Sequence, residues 1–186
     1  MKGKEIERKF LIDPSYIEAN RAVLPLTAEE AVSSSRPCCL IEQAYLCAAP
    51  VLRVRRETWW VTDPEMDEPA AAGSSRCILT VKNGGGMVHD EMNLPMPAGS
   101  YETLLQKREG QVLRKIRYRI PLSDGLTVEL DRFLDQWDGR IVAEVEFPDP
   151  DRALSFTAPD WFAQEVTGLR EYRNVWMCMH SSECQT

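Results

Sequence analysis

The sequence predicts a mainly β (α+β) chain: eight short strands in a closed or nearly closed antiparallel sheet, with a few helices beside it. Two observations carry this. Segments of alternating apolar and charged residues recur from Glu5 to Phe147, each bounded by Gly, Pro, Asn or Asp. Helical signals are few and short, so strands outnumber helices.

Taken in order, Glu5-Ile6-Glu7-Arg8-Lys9-Phe10 is the first strand. Its alternation puts Glu5, Glu7 and Lys9 on one face and Ile6 and Phe10 on the other, with Arg8 between them. Asp13-Pro14 reads as an N-cap followed by proline, opening a helix over 15–23 that Pro25 limits. Ser33 to Pro37 is a loop. A strand follows over 39–46, with Ile41, Gln43 and Tyr45 on one face. The strand over 51–61 sets Val51, Arg53 and Arg55 against Leu52 and Val54, and the alternation blurs at Arg56, Glu57 and Trp59-Trp60.

The stretch from Thr62 to Ser75 is rich in Asp, Glu, Pro, Ala, Gly and Ser and reads as a mobile hairpin loop. Residues 76–82 form the return strand, Asn83-Gly84 a tight turn, and 89–96 the next strand. Ser100 caps a helix to about Glu109 that Gly110 stops. Strands over 111–120, 126–133 and 140–147 follow. The proline-containing tail carries a short helix over 160–166. No internal repeat or linker divides the chain, which reads as a single domain over 1–186.

Bulk properties narrow the function. A net charge of −7 argues against a general nucleic-acid binder, although a cleft can concentrate cations inside an acidic protein. No apolar run reaches the roughly 20 residues of a membrane helix, and the charged N-terminus shows no secretory signal. The six cysteines have neither metal-ligand spacing nor a disulfide framework. These features predict a reduced, cytoplasmic protein without a membrane span. His89 and His180 lie too far apart in sequence to suggest a zinc site or a Ser-His-Asp triad. Gly84-Gly85-Gly86 lacks phosphate-loop spacing, and Trp59-Trp60 reads as packing or loop anchoring.

The charged pairs at spacing two hold the chemistry. Glu5/Glu7/Lys9 is followed by Arg53/Arg55, Lys82, Lys115/Arg117, Glu129/Asp131 and Glu144/Glu146. On a sandwich strand such faces would simply be wet. Here the signs sort by strand, and like charges side by side repel unless a counter-ion sits between them. Carboxylate pairs suit a divalent metal, and Lys/Arg pairs suit phosphates. Faces turned into a barrel lumen would hold a metal–polyphosphate complex.

Glu5-Ile6-Glu7-Arg8-Lys9-Phe10 resembles the ExExK signature of the CYTH superfamily, the triphosphate tunnel metalloenzymes. The likeness continues in order through Ile41 to Leu46, Leu52-Arg53-Val54-Arg55, Leu79-Thr80-Val81-Lys82, Arg114 to Tyr118, Val128 to Asp131, Ala143 to Phe147, Glu165 to Thr167 and Tyr172-Arg173-Asn174. The resemblance implies a closed eight-stranded antiparallel β-barrel forming a tunnel, with helices packed outside. It implies Mg²⁺ or Mn²⁺ held by Glu5, Glu7, Glu144 and Glu146, with Glu129 and Asp131 in the same metal set. Arg53, Arg55, Lys82, Lys115 and Arg117 would bind phosphate oxygens, and Lys9 would be the catalytic lysine beside Glu5 and Glu7. Two positions depart from the family pattern: His89 stands near where an arginine is usual, and Asn93 where a second carboxylate often lies.

The expected activity is metal-dependent hydrolysis of a small-molecule triphosphate, inorganic tripolyphosphate to diphosphate plus phosphate, by a monomer or homodimer. The short chain and the lack of an evident nucleobase pocket favour the inorganic substrate. The competing readings are a thiamine triphosphatase, a nucleoside triphosphatase, an adenylate cyclase and a non-catalytic polyphosphate-binding module.

Overall fold

In the computed structural model, which describes residues 2–24, 27, 30, 36–61, 71–84 and 87–180, β1 (Lys2–Ile12) is the seam that closes the sheet. The other barrel strands are β2 (Cys38–Ala48), β3 (Val51–Val61), β4 (Ser75–Gly84), β5 (Val88–Met96), β6 (Glu109–Pro121), β7 (Thr127–Phe133) and β8 (Ile141–Glu146). They run in the order β5-β4-β3-β2-β6-β7-β8-β1, every neighbour antiparallel. β1 pairs back to β5 through Gly3↔Glu91 and Glu5↔His89, which makes a closed eight-stranded barrel. Residues 33–35 of the expected first loop and 62–70 of the expected hairpin loop lie outside the described residues.

A ninth strand, β9 (Phe162–Glu165), replaces the short helix expected over 160–166. The cause is tertiary. β1 outlasts β5, which covers only its first half, and the remaining backbone groups of that edge need partners. β9 supplies them through Phe10↔Glu165 and Ile12↔Phe162, and the Val166 N–H donates to the Lys9 carbonyl at 2.8 Å.

The helices lie outside the barrel. α1 (Pro14–Ala19) opens as expected, with Asp13 Oδ1 accepting from the Ser15 N–H at 2.8 Å, but ends early and passes into a 3-10 turn over Arg21–Val23. α2 (Ala98–Leu105) starts at Pro97 rather than Ser100, and it ends before Gly110, which belongs to β6. α3 (Pro150–Ser155) and α4 (Asn174–Met179) complete the set. No helix among the described residues is long and apolar enough to cross a membrane.

Alternation divides the core. Ile6 and Phe10 of β1 face outward and pack with Ile116, Tyr118, Leu130, Val145, Phe156 and Phe162. The Phe10 and Phe162 ring centroids lie 4.8 Å apart. Under α2, Tyr101 packs on Ala44, Val54 and Cys77. A third cluster joins Tyr45, Leu113, Phe133 and Val142 to Met177 and Cys178 of α4. By strand parity those four barrel residues point inward. One end of the barrel is therefore filled by apolar side chains and capped by α4, and the rest of the lumen is left to the charged residues.

Candidate active site

The lumen is a cavity of about 370 Å³ whose wall carries eight Lys or Arg side chains and seven glutamates. Of the residues singled out from sequence, Glu5, Glu7, Lys9, Arg53, Arg55, Lys82, Arg117, Glu129, Glu144 and Glu146 all line it. The faces converge because barrel closure turns one parity of every strand inward. Lys115 and Asp131 do not reach the wall. They form a fully buried ion pair behind it, at 1% and 0% exposure.

The wall is a lattice of ion pairs. Lys9 Nζ donates to Glu144 Oε1 at 2.5 Å and lies 3.3 Å from Glu7 Oε1. Lys82 pairs with Glu5 and lies 3.5 Å from Glu91. Arg117 reaches Asp131 Oδ1 at 2.6 Å, Glu144 Oε2 at 2.7 Å and also Glu129. Burial works against the Lys9 ammonium, but Glu144 and Glu7 outweigh it and hold its pKa above the ordinary lysine range. Burial works against the Glu144 carboxylate too, yet Lys9, Lys115 and Arg117 hold its pKa well below the usual value. For Lys115 burial wins over Asp131 and lowers its pKa.

The other side of the lumen is short of positive charge. Glu146 opens onto the cavity and has no cationic partner within 4 Å among the described residues. Desolvation, then the neighbouring Glu129 and Glu5, push its pKa up to about 8. Burial and Glu7 likewise raise Glu5, against the pull of Lys82. Among the described residues no three acidic, His or Cys side chains converge as a ready set of metal ligands. They face Lys and Arg instead. The donors are nevertheless hard oxygens, and crowding around Glu146 is the environment a divalent cation relieves, so the residues fit a divalent cation.

No protein-family model matches the chain. It is 35% identical over 97 residues, 52% of its own length, to an inorganic triphosphatase of Nitrosomonas europaea, and that match spans 64% of the relative. It is 28% identical over 174 residues, 92% of its length and 91% of the relative's, to an inorganic triphosphatase of Acetivibrio thermocellus. A crystal structure of an inorganic triphosphatase superposes with a TM-score of 0.56 over 94% of each chain, at 26% identity. The chain thus resembles inorganic triphosphatases in sequence and in fold.

Within this barrel several lumen residues escaped the sequence reading. Glu57 is 4% exposed; its carboxylate accepts from Arg76 Nε at 2.6 Å and lies 2.9 Å from Arg55 Nε as an ion pair. Arg55, then Arg76, hold its pKa down against burial. The signal was its parity with Arg53 and Arg55, obscured by the Arg56 beside it. Arg76 and Glu91 also line the tunnel, as does Arg119, whose parity with Lys115 and Arg117 was legible in the sequence. Asn93, the departure from the family carboxylate, links the wall: Arg53 donates to Thr80 Oγ1 at 2.9 Å, Thr80 to Asn93 Oδ1 at 2.7 Å, and Asn93 Nδ2 to Glu91 Oε1 at 2.6 Å. A carboxylate at 93 could not make that last donation. The side chain of His89, the other departure, lies outside what the structure describes.

Proposed function

We propose that this chain, as a single domain over 1–186, hydrolyses a small-molecule triphosphate, with inorganic tripolyphosphate as substrate and diphosphate and phosphate as products. The observation that carries the reading is a closed barrel whose lumen brings Lys9, Arg53, Arg55, Lys82 and Arg117 to one cavity with Glu5, Glu7, Glu129, Glu144 and Glu146.

Phosphoryl transfer asks for positioning and for charge aimed at oxygens that become more negative as the bond breaks. Arg53, Arg55, Lys82 and Arg117 bind the phosphate oxygens in this reading. Lys9, kept protonated by Glu144 and Glu7, acts at the phosphoryl group being transferred. Lys115 and Asp131 work from behind the wall: Asp131 takes Arg117 through both Nε and Nη2 and fixes its direction. Glu5, Glu7, Glu129, Glu144 and Glu146 would hold Mg²⁺ or Mn²⁺, which when bound supplies further positive charge to phosphate and to the attacking water.

The five described cysteines are free thiols, which supports a reduced compartment, the cytoplasm, for a monomer or homodimer. Pure protein incubated with tripolyphosphate and Mg²⁺ or Mn²⁺ is expected to release phosphate, and no release overturns the proposal. kcat/KM measured side by side on thiamine triphosphate and ATP, with a cAMP assay, separates it from its competitors.

A further inference from the structure

Along its edge away from β8, β1 changes neighbour, and Lys9 sits at the change. β5 pairs with Lys2 to Ile6, and β9 takes over at Phe10. The Glu7 N–H bridges part of the gap by donating to the Met87 carbonyl at 3.0 Å. Lys9 is left with an N–H and a C=O that neither strand covers, and residues just past the end of β9 take both. The Val166 N–H donates to the Lys9 carbonyl at 2.8 Å, and the Lys9 N–H donates to Thr167 Oγ1 at 3.0 Å. A side-chain hydroxyl thus stands where a backbone carbonyl would continue the ladder.

That hydroxyl is used twice. It accepts from the Lys9 amide and donates to Glu165 Oε1 at 2.6 Å. Glu165 in turn accepts from Arg8 Nε at 2.9 Å and Arg8 Nη2 at 2.6 Å. Arg8 Nη1 donates to the Ala153 carbonyl of α3 at 2.9 Å and to the Phe156 carbonyl at 3.2 Å. Arg8 and Lys9 point to opposite faces of β1. The outward residue is fastened by its side chain and the inward one by its backbone, and Glu165 and Thr167 join the two fastenings. The far end of Lys9 is held differently, by Glu144 and Glu7 inside the cavity. Phosphate oxygens entering the lumen compete for that ammonium. They do not reach the other grip, since neither Glu165 nor Thr167 lines the lumen.

We infer that Thr167 is a positioning residue for Lys9: its hydroxyl, oriented by Glu165 and Arg8, fixes the Lys9 backbone from outside the barrel, so the ammonium stays aimed when substrate competes with its carboxylate partners. A small displacement of a group that acts on the reacting atoms is costly to rate. Only a hydroxyl serves here, because the position must accept from an amide and donate to a carboxylate. The inference rests on the triphosphatase reading of the cavity.

The test measures tripolyphosphate hydrolysis by the full chain with Mg²⁺, with a thermal melt of each variant. Thr167→Val keeps the shape and loses the hydroxyl; kcat is expected to fall about tenfold while KM stays within about twofold. Thr167→Ser is expected to restore most of the rate. In a Lys9→Ala background, Thr167→Val is expected to cost nothing further, since a residue that acts through Lys9 has nothing left to position. Should Thr167→Val fail to fold, Glu165→Gln, which weakens the hydroxyl's acceptor, is compared in the two backgrounds in the same way. A normal kcat in the folded variant, a serine variant as slow as the valine one, or an equal loss without Lys9 each overturns the positioning role and leaves the hydrolase reading intact. A wild type that releases no phosphate overturns both.

Discussion

Lys9 and Glu144 face each other across the β1–β8 ladder, Nζ 2.5 Å from Oε1, with both side chains nearly out of solvent. The pair joins the first strand of the chain to the last strand of the barrel. It is the shortest route by which the two ends of the charged lumen hold each other in place, and it keeps an ammonium aimed into the cavity.

Replacing Lys9 with Ala removes that ammonium while Glu144 keeps Arg117 at 2.7 Å. Phosphate release is expected to fall about 10²–10³-fold, the cost of losing one preorganised donor to the transition state. Arginine at position 9 is not expected to restore it, because the planar fork cannot occupy the ammonium's place. A steady-state assay beside a thermal melt checks this; near-normal turnover in a folded Lys9→Ala protein removes the catalytic role.

Lys115 is a stability residue first. Lys115→Met leaves Asp131 buried, but still bonded to Arg117. The loss is expected to be about 2–3 kcal/mol, below the roughly 3–5 kcal/mol of fully orphaning a buried ion. Urea unfolding at neutral pH measures it. A midpoint that does not move denies the buried pair any role in holding the lattice.

The metal-free protein is expected to lose stability as pH rises. Glu146 is raised to about 8 in the folded chain from an ordinary value near 4.5. Between those values the folded state binds more protons than the unfolded one, so the unfolding free energy falls with increasing pH. The stabilising proton is fully present below about pH 4.5 and gone above about pH 8. Melting curves in chelator from pH 5 to 9 should drop across this window, and Glu146→Gln should flatten the drop. Added Mg²⁺ should restore the high-pH melting point by binding where the proton left.

Gly110 and Gly99 give opposite expectations for the same substitution. Gly110 sits at φ +70°, and a Cβ there would run into the Cys178 carbonyl of α4. Gly110→Ala should cost about 1–3 kcal/mol, or about 2–4 °C in Tm per kcal/mol for a chain of this size. Gly99 lies in α2, where an added Cβ would meet nothing within 4 Å, and Gly99→Ala should stabilise by about 0.5–1 kcal/mol. Equal effects at the two sites would mean that α4 does not press on the start of β6.

Much of the barrel is legible along the chain because β alternation is a local property. Arg53/Arg55, Lys115/Arg117 and Glu144/Glu146 declare their shared faces by spacing alone, and β3 runs over Val51–Val61 as expected. Less legible are the features set by neighbours distant in sequence. The segment Phe162–Glu165 has no alternation of its own, and it becomes a strand because an edge of β1 lies open beside it. Glu57 looks like part of a charged run with Arg56 until β4 brings Arg76 against it. Gly110 looks like a helix stop until α4 packs across it.

Which residues carry charge, and in what parity, was determined by the order of amino acids alone, since side chains two apart on a strand share a face whatever surrounds them. Which charges meet was decided only by closure. Pairing β1 with both β8 and β5 sets the stagger that puts Lys9 on Glu144 and Lys82 on Glu5. That same stagger sinks Lys115 and Asp131 behind the wall, where the apolar plug under α4 denies them the cavity. Spacing along one strand carries no information about the register of the next, and register is what turns a set of charges into a site.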